Sequence, residues 1–215
     1  MSTMDGMSVL EATRKECETE IDRLGSEKSL IASTDAQLNR NRVLAEAAIA
    51  EMHAHNTLIL WADDEDDPTA AQTFREVAAT EIDHYERVIA LADSAPDDPN
   101  QSPNSLHKHL RNLEETPVRI GAGLLGRPLV SLRSLLQVIN FFINEGNTAA
   151  ADLFRDLRSE TNATLEHGVE LLDAVCESNG EYEQARDAAV MTVNVVYEVY
   201  TTDLEALGID PKPIC

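Results

Sequence analysis

Ala50 to Arg87 reads AEMHAHNTLILWADDEDDPTAAQTFREVAATEIDHYER, and its pattern decides the fold. From about Arg40 to Ala62, the residues Leu44, Ala47, Ala48, Glu51, His55, Leu58 and Ala62 recur at i, i+3, i+4 spacing, the period of a helix with one buried face. The run breaks at Asp63-Asp64-Glu65-Asp66. Asp67-Pro68 then supplies a helix start, with Asp as N-cap and Pro at the first helical position. A second run, Pro68 to Asp93, lines up Phe74, Val77, Glu81, His84, Val88 and Leu91. The short break makes the two runs antiparallel partners. Both stripes carry ionisable residues: Glu51 and His55 on the first, Glu81 and His84 on the second. Glu81 and His84 stand three residues apart and so point the same way.

Helical spacing continues on both sides of this hairpin, and no convincing strand is present. A first run, about Ser8 to Leu24, places Leu10, Cys17, Ile21 and Leu24 on a loose stripe, and a polar stretch from Gly25 to Asn39 follows. Ser94 to Asn104 (SAPDDPNQSPN) is a turn-rich connection. Ser105 to Leu125 reads as a shorter helix interrupted by Pro117 and ended by Gly121, Gly123 and Gly126. Arg127-Pro128 opens an apolar run through Ile143, broken at Asn144-Glu145-Gly146-Asn147. Helices over Thr148 to Cys176 and Glu181 to Leu207 follow, and GIDPKPIC (residues 208–215) is a Pro-limited, extended tail. Thr69-Ala70-Ala71 with Phe74-Arg75-Glu76-Val77 is echoed by Thr148-Ala149-Ala150 with Phe154-Arg155-Asp156-Leu157, which suggests a duplicated hairpin.

Composition bounds the function. The 215 residues include 39 acidic and 17 basic ones, for a formal charge of −22, and only Lys15, Lys28, Lys108 and Lys212 are lysines. With 43% apolar residues this is a folded core under an acidic coat rather than a disordered acidic chain. An acidic, Lys-poor surface suits a cytoplasm of molar salt, where screening is nearly complete. Direct nucleic-acid binding is not expected, because no basic stripe exists to replace counterions. No apolar stretch reaches the roughly 18 residues of a membrane span, and the N-terminus has no signal-peptide core, so a cytoplasmic location is expected. Cys17, Cys176 and Cys215 form neither a disulfide framework nor a CxxC pair.

Glu51 in AEMHAHN, the Trp61-Ala62 close of that helix and FREVAATEIDHYERV around Glu81 and His84 together resemble the ferritin-like superfamily, and within it the rubrerythrin group. The likeness covers about Arg40 to Asp93 in sequence and Pro128 to Cys176 in topology only. It implies an all-α fold, a ferritin-like antiparallel four-helix bundle with additional N- and C-terminal helices. The corresponding boundaries are a leading helix and polar connection over 1–38, a bundle over 39–178 and a C-terminal helix and tail over 179–215. Within the bundle, the hairpins are 39–93 and 128–178, joined by a crossover over 94–127. Association into a homodimer through bundle faces fits the same resemblance.

A dinuclear site of that family takes one Glu from each of two helices and a Glu-x-x-His from each of the other two. The first hairpin offers Glu51, Glu81 and His84. Displaced by 79 residues, these meet Val130, Glu160 and Ala163; displaced by 80, Ser131, Thr161 and Thr164. Neither register completes the set, and Glu160 and His167 lie about 10.5 Å apart along a helix. A smaller site remains, with Glu51, His55, Glu81 and His84 as ligands for one iron, manganese or zinc ion with open positions. Two other readings stand beside it: a buried Glu81–His84 hydrogen-bonded pair without metal, and His53 and His55 on a solvated face.

The remaining motifs are weaker. Trp61 and Phe141-Phe142 are expected in the core, and Leu106-His107-Lys108-His109 on a surface helix. Without a CxxC pair there is no rubredoxin-type iron centre, and no catalytic residue is assigned. Two function classes remain: a ferritin-like protein of metal-dependent redox or metal-handling chemistry, and a metal-free helical bundle acting as an interaction or regulatory module.

Overall fold

The computed structural model describes residues 4–92 and 102–212. Within them the chain is all-α and contains no strand. The elements are α1 (Gly6–Glu16), α2 (Glu18–Leu24), α3 (Glu27–Ser33), α4 (Arg40–Asp64), α5 (Pro68–Ile89), α6 (Ser105–Arg111), α7 (Thr116–Ile120), a π-helical stretch (Gly121–Gly126), α8 (Arg127–Asn144), α9 (Thr148–Val175) and α10 (Asn179–Ala206). Most of the Ser94–Asn104 connection and the Cys215 end of the tail lie outside the described residues.

Local chemistry explains the long helices. Asn39 caps α4 by accepting from the Arg42 amide, and Asp67 caps α5 by accepting from the Thr69 and Ala70 amides ahead of Pro68. Asn147 caps α9, and Ser178 forms a capping box with Glu181 at the head of α10. The acidic break after α4 is more than a solvated turn. Arg119 donates to Asp64 (2.6 Å) and Glu65 (3.2 Å), and Thr116 to Glu65 (2.6 Å).

Three expectations need correction. The first run is not one helix: it breaks at Cys17 into α1 and α2. The polar stretch Gly25 to Asn39 contains α3, which buries Ala32 and rests partly buried Leu30 and Ile31 on the core. The glycine cluster does not end a helix. It forms a buried π-helical stretch that runs straight into α8, and its glycines serve close approach. A Cβ on Gly121 would stand 2.0 Å from the Ala185 carbonyl oxygen of α10, and one on Gly123 would stand 2.4 Å from the Trp61 ring. The chain therefore needs small residues there for packing, not for a turn.

The apolar interior forms two clusters. Trp61, Phe74, Leu124, Leu125, Leu172 and Val193 belong to one, with α10 packed along it. Leu44, Tyr85, Val88, Phe142, Phe154 and Leu157 belong to the other. α4 and α9 enter the second cluster first and the first one last, whereas α5 and α8 run the opposite way. α4 packs on α5, α8 on α9, and α5 on α9. Trp61 and Phe142 are buried as expected, whereas Phe141 is only partly buried, and Phe142 stacks on Phe154 at 5.6 Å between centroids. At the C-terminus, Ile209 rests on the core, and Lys28 donates to the Asp210 and Lys212 carbonyls, which docks the described part of the tail.

Among the described residues no helix is long and apolar enough to cross a membrane. The charge of −22 repels itself in dilute buffer. The melting temperature is therefore expected to climb steeply from about 0.1 M to about 1 M KCl, as the screening length falls from about 10 Å to about 3 Å. Salt-indifferent melting would remove the high-salt inference.

Candidate metal centre

Between the two apolar clusters lies a polar layer. On α4 it falls at Glu51, after Ala48 of one cluster and before Leu58 of the other. On α5 it falls at Glu81 and His84, between Val77 and Tyr85, and on α9 at Glu160, between Leu157 and Leu165. The helical period thus brings Glu51, Glu81 and His84 to one level of the interior, with half-exposed Glu160 at its rim.

Glu51, Glu81 and His84 each offer a ligand atom, and these atoms lie within 4.8 Å of one another. His84 Nδ1 is 3.7 Å from Glu51 Oε2 and 3.8 Å from Glu81 Oε2. Three donors about 2.1 Å from one ion in tetrahedral array would be about 3.4 Å apart, so the two distances from His84 Nδ1 need to contract by only a few tenths of an ångström. Glu81 and His84 are buried, and the Glu51 side chain keeps 12% of its exposure.

The opposite edge of the His84 ring is held firmly. Nε2 donates to Glu160 Oε2 at 2.7 Å, and Arg87 Nη1 donates to both Glu160 oxygens at 3.0 and 2.9 Å. With its proton on Nε2, a neutral His84 turns the Nδ1 lone pair toward two carboxylate oxygens. That buried Nδ1 has no hydrogen-bond partner. Oxygen and nitrogen lone pairs facing one another at this distance call for a cation between them, either a proton or a metal ion.

Arg127 closes the layer from the head of α8. Its Nη2 donates to Glu81 Oε1 at 2.6 Å and its Nε to the Gly123 carbonyl at 3.2 Å, with both Arg127 and Glu81 buried. One Glu81 oxygen is thereby committed to Arg127, and the other faces His84.

The titration behaviour follows from this geometry. Burial, seconded by the Glu81 charge, pushes the Glu51 carboxyl up to about 8. Burial is the largest influence on Glu81 and works to raise it, but the Arg127 guanidinium, the hydrogen bond from Glu51 and the His84 ring together overcome it and hold that carboxyl below its usual range. Desolvation opposes a charged His84 ring; Glu51, Glu81 and Glu160 together overcome it and raise the imidazole. Without metal, Glu51 thus keeps its proton near neutral pH, whereas Glu81 and Glu160 are held below the usual carboxylate range.

The four proposed ligands are not all brought together. Glu51, Glu81 and His84 converge. His55 does not join them: its Nδ1 lies 2.8 Å from the Ala78 carbonyl oxygen, across the α4–α5 seam. One helical turn separates it from Glu51, and at this crossing that turn carries it past the layer. Glu160, set aside as a metal ligand for its distance from His167, instead supports His84. Both Glu160 and His167 line an open groove of about 540 Å³ between α5 and α9.

His53 and His107 are buried against one another, with rings 5.4 Å apart, so the alternative that placed His53 on a solvated face does not hold, and His107 turns inward from its helix. His107 Nδ1 bonds Thr57 Oγ1 at 2.9 Å, and desolvation holds its ring neutral. Sequence reasoning also missed Arg127, although a lone Arg heading an otherwise apolar run was the available signal. No protein-family model matches the chain, and no curated protein matches it.

Proposed function

We propose that this protein is a ferritin-like, rubrerythrin-related bundle that holds one transition-metal ion per chain through Glu51, Glu81 and His84. The observation that carries the reading is the His84 ring: Glu160 holds Nε2, and Nδ1 is buried, without a hydrogen-bond partner, and faces two carboxylate oxygens. Metal-ligating histidines have this arrangement, with the second ring nitrogen bound to a carboxylate that fixes tautomer and orientation. Two carboxylates and one imidazole leave open positions and suit iron, manganese or zinc.

Each residue has a definable part. Glu160, gripped by Arg87, keeps the His84 proton on Nε2 and the ring in place. Arg127 fixes Glu81 by one oxygen and frees the other. Its positive charge also fills the second half of the layer, which limits the site to one ion. Iron bound there would supply a redox-active centre with room for an added ligand.

Loading with Fe(II), Mn(II) or Zn(II), followed by elemental analysis, should give no more than one ion per chain. His84→Ala should abolish uptake, and His55→Ala should retain it, because His55 is engaged with Ala78. Two tightly held ions per chain would contradict the role assigned to Arg127.

A second reading has its own observation. The Arg127–Glu81 ion pair neutralises Glu81 without metal, as a metal-free interaction module would require. Failure to take up any of the three metals, with His84→Ala affecting stability alone, would favour it.

A further inference from the structure

A partly open cavity of about 260 Å³ lies beside the polar layer, bounded by α3, α4, α6, α8 and α10. Its walls are mostly apolar, formed by Leu30, Val43, Ala47, Val130, Leu135 and Val138, with Glu51 among the lining residues. Glu46 is the other charged lining residue; no Lys, Arg or His among the described residues lines the chamber. An apolar cavity of roughly 150 Å³ accepts a six-carbon ring, so this one has room for about ten non-hydrogen atoms. Two carboxyl groups and no cation disfavour an anionic guest, and the apolar walls disfavour a strongly hydrated one.

We infer that this chamber binds an uncharged aliphatic molecule of about ten non-hydrogen atoms, an alkane or alkanol. The inference goes beyond the metal reading and does not depend on it, since the walls are present whether or not an ion is bound.

Calorimetric titration of the full-length, metal-free chain with 1-alkanols from butanol to dodecanol tests it. Each added CH2 should strengthen binding about three- to four-fold until the chamber is full, near nine carbons, after which the gain should stop. Octanoate should bind at least about ten-fold more weakly than octan-1-ol, because its carboxylate meets Glu51 and Glu46 without a counter-charge. Ala47→Phe fills the chamber from α4 and should remove alkanol binding; Ser134→Leu narrows it from α8 and serves if the first variant does not fold. A flat chain-length series, octanoate binding as tightly as octan-1-ol, or unchanged affinity in a folded filled variant would overturn the inference. Because no metal is present in these titrations, their failure would leave the metal reading intact, and failed metal uptake would leave the alkanol result intact.

Discussion

Arg127→Leu is expected to destabilise the protein by about 3–5 kcal/mol. The guanidinium is buried against Glu81 at 2.6 Å, so removing it leaves a carboxylate in the interior without its partner. For a chain of this size the loss corresponds to roughly 10 °C in melting temperature. Three companion measurements identify the cause. Arg127→Leu combined with Glu81→Leu should recover most of the loss, since an apolar pair can replace a buried ion pair at little cost. Lower pH should narrow the gap: Glu81 is held below its usual range in the folded protein, so its favourable contribution is present above the unfolded carboxyl pKa and fades as pH falls through the folded one. Divalent metal should stabilise Arg127→Leu more than the parent, because a bound cation then supplies the missing charge. Equal stability of parent and Arg127→Leu would show that the pair contributes nothing.

Glu51→Gln is expected to abolish metal uptake while making the metal-free protein more stable near pH 8, by on the order of 3 kcal/mol. The sign follows from the raised carboxyl. Folded Glu51 keeps its proton to about 8, whereas the unfolded chain releases it near the ordinary carboxyl pKa. Its contribution is therefore complete at low pH and is lost progressively as pH rises toward 8. His84, also raised, acts in the same direction at higher pH. A glutamine retains the shape and hydrogen bonding of the protonated acid and has no proton to lose. Metal reverses the trend in the parent, since an ion must displace the protons on Glu51 and His84 and so binds more tightly as pH rises. Thermal melts from pH 5 to 9, with and without Zn(II), read both effects. A Glu51→Gln variant that is less stable at every pH would show that burial does not penalise the Glu51 charge.

A residue that weakens the metal-free fold is one whose presence packing does not explain. Glu51 on a buried stripe has that character, whereas the Arg127–Glu81 pair is consistent with either reading. The two substitutions therefore separate a site kept for binding from a polar layer kept for specificity.

Local chemistry in the sequence was enough to determine the helical class, the α4–α5 hairpin, the Asp67-Pro68 start of α5 and the shared face of Glu81 and His84, because spacing, caps and breakers act within a few residues. It also singled out Glu51, Glu81 and His84 as a group. What it could not determine was the outcome of close approach between distant segments. Gly121 and Gly123 look like a helix stop, yet their missing side chains admit the α10 backbone and the Trp61 ring. His55 looks like a fourth ligand, yet it turns to the Ala78 carbonyl. Arg127 and Glu160 lie 46 and 76 residues from the groups they bind, and no periodicity reports a contact of that span. Only tertiary packing decides that Arg127 meets Glu81 and Glu160 meets His84 at that polar layer.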